Sequence, residues 1–387
     1  MKRGYWILVA ALALLPFAQR AEAVPAFAKQ TNMACQGCHT AFPLLNSVGQ
    51  QFKKNGYSIP GASFQPGAFP VGARLLGRVG DNKNNGDPTR IDSLHELEIF
   101  YAGPVADDIS VFAEVEAEDG DDFVMGVKAA VVNYRHSDAL NIQAGRAAVF
   151  FADPYDTLAD GGRRMTAEHK GILNTRNRKS DGTPGTENRH RLRDSLQQIN
   201  VNGQLGPVWY MAGISGGGAS VDTDKIGADP DDFQGRLALD LPDGSMIGAY
   251  YYGGTDTFTT AVEDDFSVVG IDARHDNAAL GITVLATAAW STDSYSDSTT
   301  DVEVASGYIQ VLRPFDVGGK ALVPLVRYNW ADTDGSADDL ASDKALQMTT
   351  AQVSYYLAEN ARITTEFTNF DKVVDNQRLI VGFDVVF

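Results

Sequence analysis

Hydrophobic and polar residues alternate along most of the chain from about residue 71 onwards, in segments that are separated by turns. In the final segment, Leu379, Val381 and Phe383 occupy one face and Asp384 lies on the other. A period of two is the repeat of a β-strand with one apolar face. The pattern predicts about sixteen antiparallel strands, near residues 73–80, 94–102, 109–117, 123–134, 139–146, 195–202, 208–215, 233–241, 245–253, 266–274, 278–290, 303–313, 321–330, 347–358, 361–369 and 378–387.

The connections between the predicted strands alternate between short and long. Short turns such as 242–244 alternate with long segments such as 216–232, which are rich in Asp, Gly, Ser and Thr. Short turns at one end and long loops at the other are typical of outer-membrane β-barrels, whereas a soluble β-sandwich turns its apolar faces inward. The loop asymmetry, the even strand number and a last strand that ends on Phe387 favour a transmembrane barrel over residues 71–387.

Residues 1–23 have the features of a secretory signal peptide. Lys2 and Arg3 give a basic start, residues 6–15 are apolar, and an Ala-Glu-Ala cleavage site ends the segment. The apolar stretch is too short to span a bilayer comfortably. We therefore expect Sec-dependent export, a mature chain that begins near Val24, and residence in the outer membrane of a Gram-negative bacterium.

The chain is strongly acidic, with a formal net charge of −18 at pH 7, or −20 without the three basic residues and one acidic residue of the signal peptide. Such a field repels nucleic acid and attracts cations. The expected surroundings are outer-membrane lipid and lipopolysaccharide, and the expected state is a monomer. Carboxylate clusters suited to borderline cations, or merely to solvation, occur at Glu116, Glu118, Asp119, Asp121 and Asp122, at Asp222, Asp224, Asp229, Asp231 and Asp232, at Glu263, Asp264 and Asp265, and at Asp332, Asp334, Asp338 and Asp339.

The sequence Cys-Gln-Gly-Cys-His at residues 35–39 is the attachment signature of a c-type haem. In this signature each thiol adds across one vinyl group, and the adjacent histidine ligates the iron. The alternatives are a redox dithiol, half of a zinc site and a structural disulfide. A dithiol needs no neighbouring histidine, and zinc would need further ligands, yet His95 is the next Cys or His along the chain. The motif therefore predicts one covalently bound haem c, held by Cys35 and Cys38, with His39 as the proximal iron ligand.

Residues 24–70 lie between the predicted signal peptide and the barrel, and one helix is readable within them. Pro43 suits its first turn, and Asn55 followed by Gly56 suits its end. The apolar stripe of this helix, spaced to cover one face of a haem, consists of Leu44, Val48 and Phe52. So short a fragment cannot enclose a haem alone, whereas a barrel of about sixteen strands has a lumen wide enough for a plug. We therefore expect residues 24–70 to carry the haem inside the barrel.

The sixth iron ligand has no strong candidate in the sequence. Met33 precedes the motif by two residues, which makes the opposite haem face awkward to reach. By strand parity Met211 and Met246 point into the lumen, and His169 lies in a long loop. These four side chains remain weak candidates for a position that sets the reduction potential.

The loop at 147–194 is the exception to the acidic composition of the long loops. One hypothesis is that it folds into the lumen and pairs its cations with the haem propionates or with Glu98, Glu114 and Glu116. The alternative is a surface loop that contacts lipid A phosphates. Its cations are Arg163, Arg164, Lys170, Arg176, Arg178, Lys179, Arg189, Arg191 and Arg193.

The haem motif is embedded in a longer pattern of residues. The pattern consists of Pro25, Ala26, Phe27, Ala28 and Lys29, the motif itself, and then Pro43, Leu45, Asn46, Gly49, Phe52, Asn55, Gly56 and Tyr57. Over this stretch the chain resembles the fused monohaem cytochrome–porins, the outer-membrane iron oxidases of iron-oxidising bacteria, although Val48 stands where that family often has Phe. Elsewhere the resemblance is architectural, because one haem segment is followed by one barrel.

The resemblance implies an iron:cytochrome c oxidoreductase. Extracellular Fe(II) would be oxidised at or near the outer mouth, and the electron would pass through one lumenal haem to periplasmic c-type cytochromes. Only Cys35, Cys38 and His39 carry over residue by residue, with His39 as the catalytic residue. Two other functions stay open: a haem-plugged porin whose haem acts as a redox gate or sensor, and a barrel that anchors a periplasmic electron-docking domain.

Overall fold

The computed structural model describes residues 26–31, 33–58, 71–82, 90–118, 123–158, 192, 195–216, 231–257, 262–299, 301–334, 345–370 and 376–387. The predicted signal peptide lies outside these residues. Ahead of the barrel, the described chain forms the helices α1 (Ala26–Thr31), α2 (Cys35–Cys38) and α3 (Ser47–Lys54) and the paired strands β1 (His39–Ala41) and β2 (Leu44–Leu45). None of the helices in the described residues is both long and apolar enough to cross a membrane.

Seventeen further strands follow in the described residues. They are β3 (Val71–Asn82), β4 (Arg90–Ala106), β5 (Ile109–Glu118), β6 (Gly126–Ser137), β7 (Leu140–Ala148), β8 (Ser195–Leu205), β9 (Val208–Gly216), β10 (Asp232–Asp240), β11 (Met246–Thr257), β12 (Glu263–Asn277), β13 (Ile282–Tyr295), β14 (Val302–Leu312), β15 (Phe315–Asp316), β16 (Ala321–Asp334), β17 (Ala345–Ala358), β18 (Ala361–Phe370) and β19 (Asn376–Val386). Sixteen of them close into an antiparallel barrel, and the two-residue β15 pairs with β16 inside one connection. The prediction of an all-β antiparallel barrel of about sixteen strands is confirmed.

The barrel closes where its first strand, β3, pairs with its last, β19. Ala73 and Phe387 exchange backbone hydrogen bonds of 2.6 and 2.8 Å at this seam. On the lumenal side, Arg74 Nε lies 3.0 Å from Asp384 Oδ1, and Arg362 Nη2 of β18 lies 2.7 Å from Asp384 Oδ2. The three buried side chains therefore tie the last two strands to the first.

Apolar side chains of the strands face outward and polar side chains face the lumen. Ile247, Val269 and Trp290 are each about half exposed, whereas Arg327 and Asn329 are fully buried inside. An apolar outer wall around a polar interior is the arrangement that a barrel in lipid requires. The alternation read from the sequence thus has its apolar face on the outside, as a membrane barrel needs.

The strand predicted at 278–290 begins later than its alternation indicated. β13 begins at Ile282, and residues 278–281 form a turn in which Gly281 has a φ of 64°. Small and apolar residues continue through this turn, so the hydrophobic pattern gave no sign of it. The two-residue β15 was not predicted at all, because a strand that short has no readable period.

The helix after the haem motif also begins later than predicted. Asn46, and not Pro43, caps α3, because its side-chain oxygen accepts bonds of 2.9 and 3.0 Å from two backbone N–H groups of the first turn. The predicted end at Asn55 and Gly56 is confirmed, and Gly56 has a φ of 63°.

The apolar stripe predicted for this helix is split in the structure. Leu44 precedes α3, in β2, and is fully buried, and Phe52 is buried as well. Val48 is 44% exposed and does not line the cavity beside the motif. The prediction that it covers a haem face is wrong, since a helix that begins at Ser47 turns Val48 to its open side.

Residues 26–31 and 33–58, which we call the N-terminal segment, bind the inner wall of the barrel. Each partner lies within three residues of a strand end that adjoins a short turn. The bonds run from Arg274 Nη2 to the Leu45 carbonyl (2.6 Å), from Lys54 Nζ to Asp240 Oδ2 (2.8 Å), from Ser110 Oγ to the Gly56 carbonyl and from Arg362 Nη1 to the Phe42 carbonyl. The N-terminal segment therefore lies at the short-turn end of the lumen.

Residues 149–158, which we call the inner segment, are the first part of the long basic loop and also fold into the barrel. Asp153 Oδ1 lies 3.3 Å from Arg236 Nε, and Thr157 Oγ1 donates to Asp272 Oδ2 at 2.6 Å. All four side chains are buried. The hypothesis that this loop enters the lumen holds for these ten residues, while the cations of the loop lie outside the described residues.

Candidate functional site

The two cysteines of the motif stand at the ends of α2, and both line one cavity inside the barrel. Both side chains are half-buried and free of any disulfide. Burial raises the pKa of both thiols, and the nearby Glu359 carboxylate raises the pKa of Cys35 further. Cys35 and Cys38 are therefore kept as neutral thiols beside the cavity.

His39 follows directly in β1, and the chain fixes the orientation of its imidazole ring. His39 Nδ1 lies 2.9 Å from the carbonyl oxygen of Pro43, four residues later. A carbonyl only accepts, so Nδ1 carries the proton and donates, which leaves the lone pair of Nε2 for a metal. Histidines that ligate metals usually donate from their other nitrogen to a carbonyl or carboxylate in this way.

The cavity has a volume of about 380 Å³ and one aromatic wall. Phe27 and Tyr57 stack with their ring centroids 5.4 Å apart and their planes 4° apart, and Tyr57 stacks on Phe112 of β5 at 5.7 Å. Phe52 and Phe151 line the same space. Cofactor pockets typically measure roughly 300–1,000 Å³ and are mostly apolar. The space suits a large and largely apolar cofactor.

Another part of the cavity wall carries three buried glutamates, Glu96 and Glu98 of β4 and Glu116 of β5, which we call the glutamate triad. One carboxylate oxygen from each lies within 4.8 Å of the other two. Arg74 Nη1 lies 2.9 Å from Glu98, and Lys128 Nζ lies 2.5 Å from Glu116. Like charges on neighbouring strands destabilise a sheet, and carboxylate oxygens bind hard and borderline cations. The triad can therefore hold a divalent cation.

The candidates for the sixth iron ligand separate clearly in the structure. Met33 lines the cavity and packs on the motif, since a Cβ added to Gly37 would lie 2.9 Å from Met33 Cε. Met211 and Met246 are buried on the lumenal side, as strand parity predicted, but neither lines the cavity. His169 lies outside the described residues. Met33 is thus the one described candidate near the motif.

Two members of the glutamate triad are candidates from the sequence. Glu98 and Glu116 are predicted to attract cations of the long loop, Glu116 also belongs to one of the carboxylate clusters suited to borderline cations, and Glu96 is not singled out. The structure places Arg74 beside Glu98 and Lys128 beside Glu116 instead. The sequence does contain a sign of the triad, because glutamates occupy every second position on the inward face of two consecutive predicted strands.

The residues around the cavity fit a c-type haem. The motif offers two thiols and a histidine whose Nδ1 is bound by the Pro43 carbonyl, and the walls next to it are apolar and aromatic. Barrel cations close to the motif are Arg74 and Arg362, which also line the cavity. No residue present contradicts attachment at Cys35 and Cys38.

The barrel is similar in fold to solved outer-membrane porins. OmpT of Vibrio cholerae matches with a TM-score of 0.56 and 12% identity, over 82% of this chain and 96% of that one. OmpF of Salmonella typhi in complex with daunomycin matches with a TM-score of 0.57 and 14% identity, over 82% of this chain and 97% of that one. The anion-selective porin of Comamonas acidovorans matches with a TM-score of 0.57 and 13% identity, over 82% of this chain and 98% of that one.

No protein-family model and no curated protein sequence matches the chain. At such low identities the structural matches establish the fold alone. The chain is a porin-like β-barrel of the outer-membrane type, and its fold supports residence in the outer membrane. The N-terminal segment and its motif need a separate explanation.

Proposed function

We propose that this protein is an outer-membrane cytochrome, an iron:cytochrome c oxidoreductase that takes electrons from extracellular Fe(II) and passes them to a periplasmic c-type cytochrome. One covalent haem c is attached to Cys35 and Cys38, with His39 as its proximal ligand. The observation that carries this proposal is the bond from His39 Nδ1 to the Pro43 carbonyl, in a cavity that also contains the glutamate triad.

The residues of the N-terminal segment hold and orient the cofactor. Cys35 and Cys38 would hold the haem through two thioether bonds, and the Pro43 carbonyl orients the ring of His39, which would ligate the iron. When bound, the haem supplies a centre that accepts and releases one electron at a time. The aromatic wall excludes water, and the bonds from the barrel to the N-terminal segment keep the site in the lumen.

The glutamate triad is the proposed contact for ferrous iron. Fe²⁺ loses one electron and becomes Fe³⁺, and the reaction transfers no proton or oxygen atom. Carboxylates bind the harder Fe³⁺ more tightly than Fe²⁺, so oxidation is favoured where anionic oxygens converge. Because the triad lines the same cavity as the motif, the donor and the acceptor are close together.

Two other functions remain as rivals. A haem-plugged porin needs a path for solutes larger than a metal ion, but the N-terminal segment and the inner segment both occupy part of the lumen and bind there through buried side chains. A periplasmic docking domain would need the N-terminal segment to leave the barrel, which would break its bonds to Arg274, Asp240 and Arg362. The contacts favour a cofactor that stays inside.

The test uses the purified holoprotein in a stopped-flow mixer, with ferric protein mixed against Fe²⁺. Glu96→Gln, Glu98→Gln and Glu116→Gln together should slow reduction by roughly tenfold, equivalent to about 1.4 kcal/mol. Reduction by an uncharged hydroquinone should be unchanged. The matched control neutralises three exposed carboxylates on short turns, Asp107→Asn, Asp108→Asn and Asp138→Asn.

Haem content tests the premise that the proposal shares with its rivals, and the reaction with Fe²⁺ separates them. Pyridine haemochrome should give one haem per chain, and zero haem would exclude the proposed function. If the holoprotein is not reduced by Fe²⁺ and conducts solutes in planar bilayers, the protein is a porin. If the triad variant and its control slow the reaction equally, iron does not bind at the triad.

A further inference from the structure

The N-terminal segment has an open face at the short-turn end of the barrel. Gln36, between the two cysteines, and Ser47, Val48 and Gln51 of α3 are all exposed. The segment is fixed close to this end, since Lys54 binds Asp240, the last residue of β10. Short turns of outer-membrane barrels face the periplasm. The segment that carries the haem motif therefore lies at the periplasmic end of the barrel, with these four side chains exposed.

The short turns around this mouth are predominantly acidic. They comprise residues 106–109, 137–139, 205–207, 241–245, 277–281, 313–320 and 359–360, all of which the structure describes. The exposed carboxylates on these turns are Asp107, Asp108, Asp138, Asp243, Asp316 and Glu359. The exposed cations on the same turns are Arg313 and Lys320, both in the turn that holds Asp316. Apart from that one turn, the exposed charged side chains on these turns are all negative, and the partly exposed Arg135 pairs with Asp138 beside one of them.

The acidic turns reach the edge of the haem motif. Glu359 and Cys35 line the same cavity. On another side of the mouth, Ser110 binds the Gly56 carbonyl two residues after Asp108. Carboxylates thus stand near two different parts of the N-terminal segment, whose exposed side chains include the apolar Val48.

We propose that this acidic mouth is the docking surface for a cationic redox protein, one whose exposed cofactor edge is surrounded by lysines. The inference rests on the proposed function, because it supplies the exit for the electron. Opposite charge on two redox surfaces raises the association rate and orients the encounter while leaving the complex short-lived. Anionic lipid headgroups and a second copy of this acidic chain would be repelled by the same surface.

Electron transfer out of the protein measures this docking without iron. The holoprotein is reduced with dithionite, freed of excess reductant, and mixed with a ferric c-type cytochrome that carries a lysine ring. The second-order rate should fall by roughly tenfold as ionic strength rises to 0.15 M, where charges are screened within about 8 Å. An acidic c-type cytochrome should react more slowly at low salt and gain speed as salt is added.

Two matched variants locate the surface. Asp107→Asn, Asp108→Asn and Glu359→Gln should lower the rate with the basic cytochrome by about three- to tenfold at low salt. Glu263→Gln, Asp265→Asn and Asp301→Asn remove the same number of exposed carboxylates at the long-loop end and should leave the rate unchanged. The reduction potential of each variant is measured as well, so that a changed driving force is not taken for weaker docking.

The outcomes separate this inference from the proposed function. Equal slowing by both variants, or faster reaction with the acidic cytochrome, would overturn the docking surface while leaving iron oxidation intact. A protein that delivers electrons to the basic cytochrome with the expected salt dependence, but is not reduced by Fe²⁺, would keep the docking surface and exclude the iron oxidase.

Discussion

Two charged regions of the lumen are built in opposite ways. Around the inner segment, Arg236 binds Asp272 with both terminal nitrogens, at 2.6 and 2.7 Å, and Asp153 lies 3.3 Å from Arg236 Nε. Beside the haem motif, the three carboxylates of the glutamate triad lie together, and their nearest cations are Arg74 and Lys128. In the first region two carboxylates converge on one guanidinium, whereas in the second three carboxylates converge on one another, with Arg74 and Lys128 at their edge.

The difference suggests different roles for the two regions: the ion pairs around the inner segment stabilise the fold, and the glutamate triad is the proposed binding site. Buried ions are retained at little cost when each has a partner in good geometry, and an excess of one sign is costly unless a ligand balances it. The region of the inner segment needs no ligand. Under the proposed function, Fe²⁺ at the glutamate triad would balance the charge in the region of the motif.

The largest effect should come from His39→Ala, which tests whether the motif is separable from the fold. The thioether bonds to Cys35 and Cys38 should still hold one haem, but its iron should bind added imidazole and oxidation of Fe²⁺ should be lost. The barrel should keep its β circular dichroism and its heat-modifiable mobility, because a closed ladder of strand hydrogen bonds stabilises it. His136→Ala, at an exposed histidine, is the control. Wild-type oxidation by the His39 variant would show that the haem has no part in the activity.

The next effect concerns the region of paired charge. Arg236→Met leaves the carboxylates of Asp153 and Asp272 buried without their cation and should lower the free energy of unfolding by about 3–5 kcal/mol. Urea unfolding in lipid vesicles measures this, with the fluorescence of the fully buried Trp209 as the signal. Arg236→Lys keeps the positive charge and should lower the free energy of unfolding by less than Arg236→Met does.

The matching change beside the motif should have a much smaller effect. Glu96→Gln removes one of three converging carboxylates together with its contact with Arg74, 3.5 Å away, and should change the free energy of unfolding by less than about 1 kcal/mol. Glu98 and Glu116 keep their bonds to Arg74 and Lys128 in this variant. Equal destabilisation by the changes at Arg236 and Glu96 would remove the distinction between the two regions.

The smallest effect is expected at Asn46, which joins α3 to the motif. Its side chain accepts two bonds from the first turn of α3 and donates to the carbonyls of Gln36 and Gly37, both at 3.1 Å. Asn46→Ala should destabilise the N-terminal segment by about 1 kcal/mol, measured by hydrogen exchange. Asn46→Asp keeps the cap and should lose only the bonds to the motif. Ser47→Ala is the control, and an equal effect there would show that Asn46 is not a special position.

The sequence predicts the barrel well because each strand repeats one simple rule. An inward polar and an outward apolar residue alternate along every strand, and this rule sets the strand number and the faces. It does not mark a turn such as 278–281, where small and apolar residues continue the alternation. It also misses β15, which is too short to have a period.

The candidate site is only partly predictable for a related reason. Cys35, Cys38 and His39 lie within five consecutive residues, so the haem-attachment signature is visible in the sequence alone. The glutamate triad depends on the register between β4 and β5, where Glu98 lies directly opposite Glu116, and register is a property of the folded sheet. The bond from His39 to Pro43 depends on the path of the chain between them and is equally invisible in the sequence.

The seam of the barrel has a consequence for the order of assembly. Arg362 holds the Phe42 carbonyl, and Asp384 holds both Arg362 and Arg74 across the junction of the first and last strands. The site that binds the Phe42 carbonyl is complete only after β3 and β19 have paired. The contacts of Phe42 with Arg362 can therefore form only after the barrel has closed, and under the proposed function the cysteines would be loaded with haem before the N-terminal segment docks.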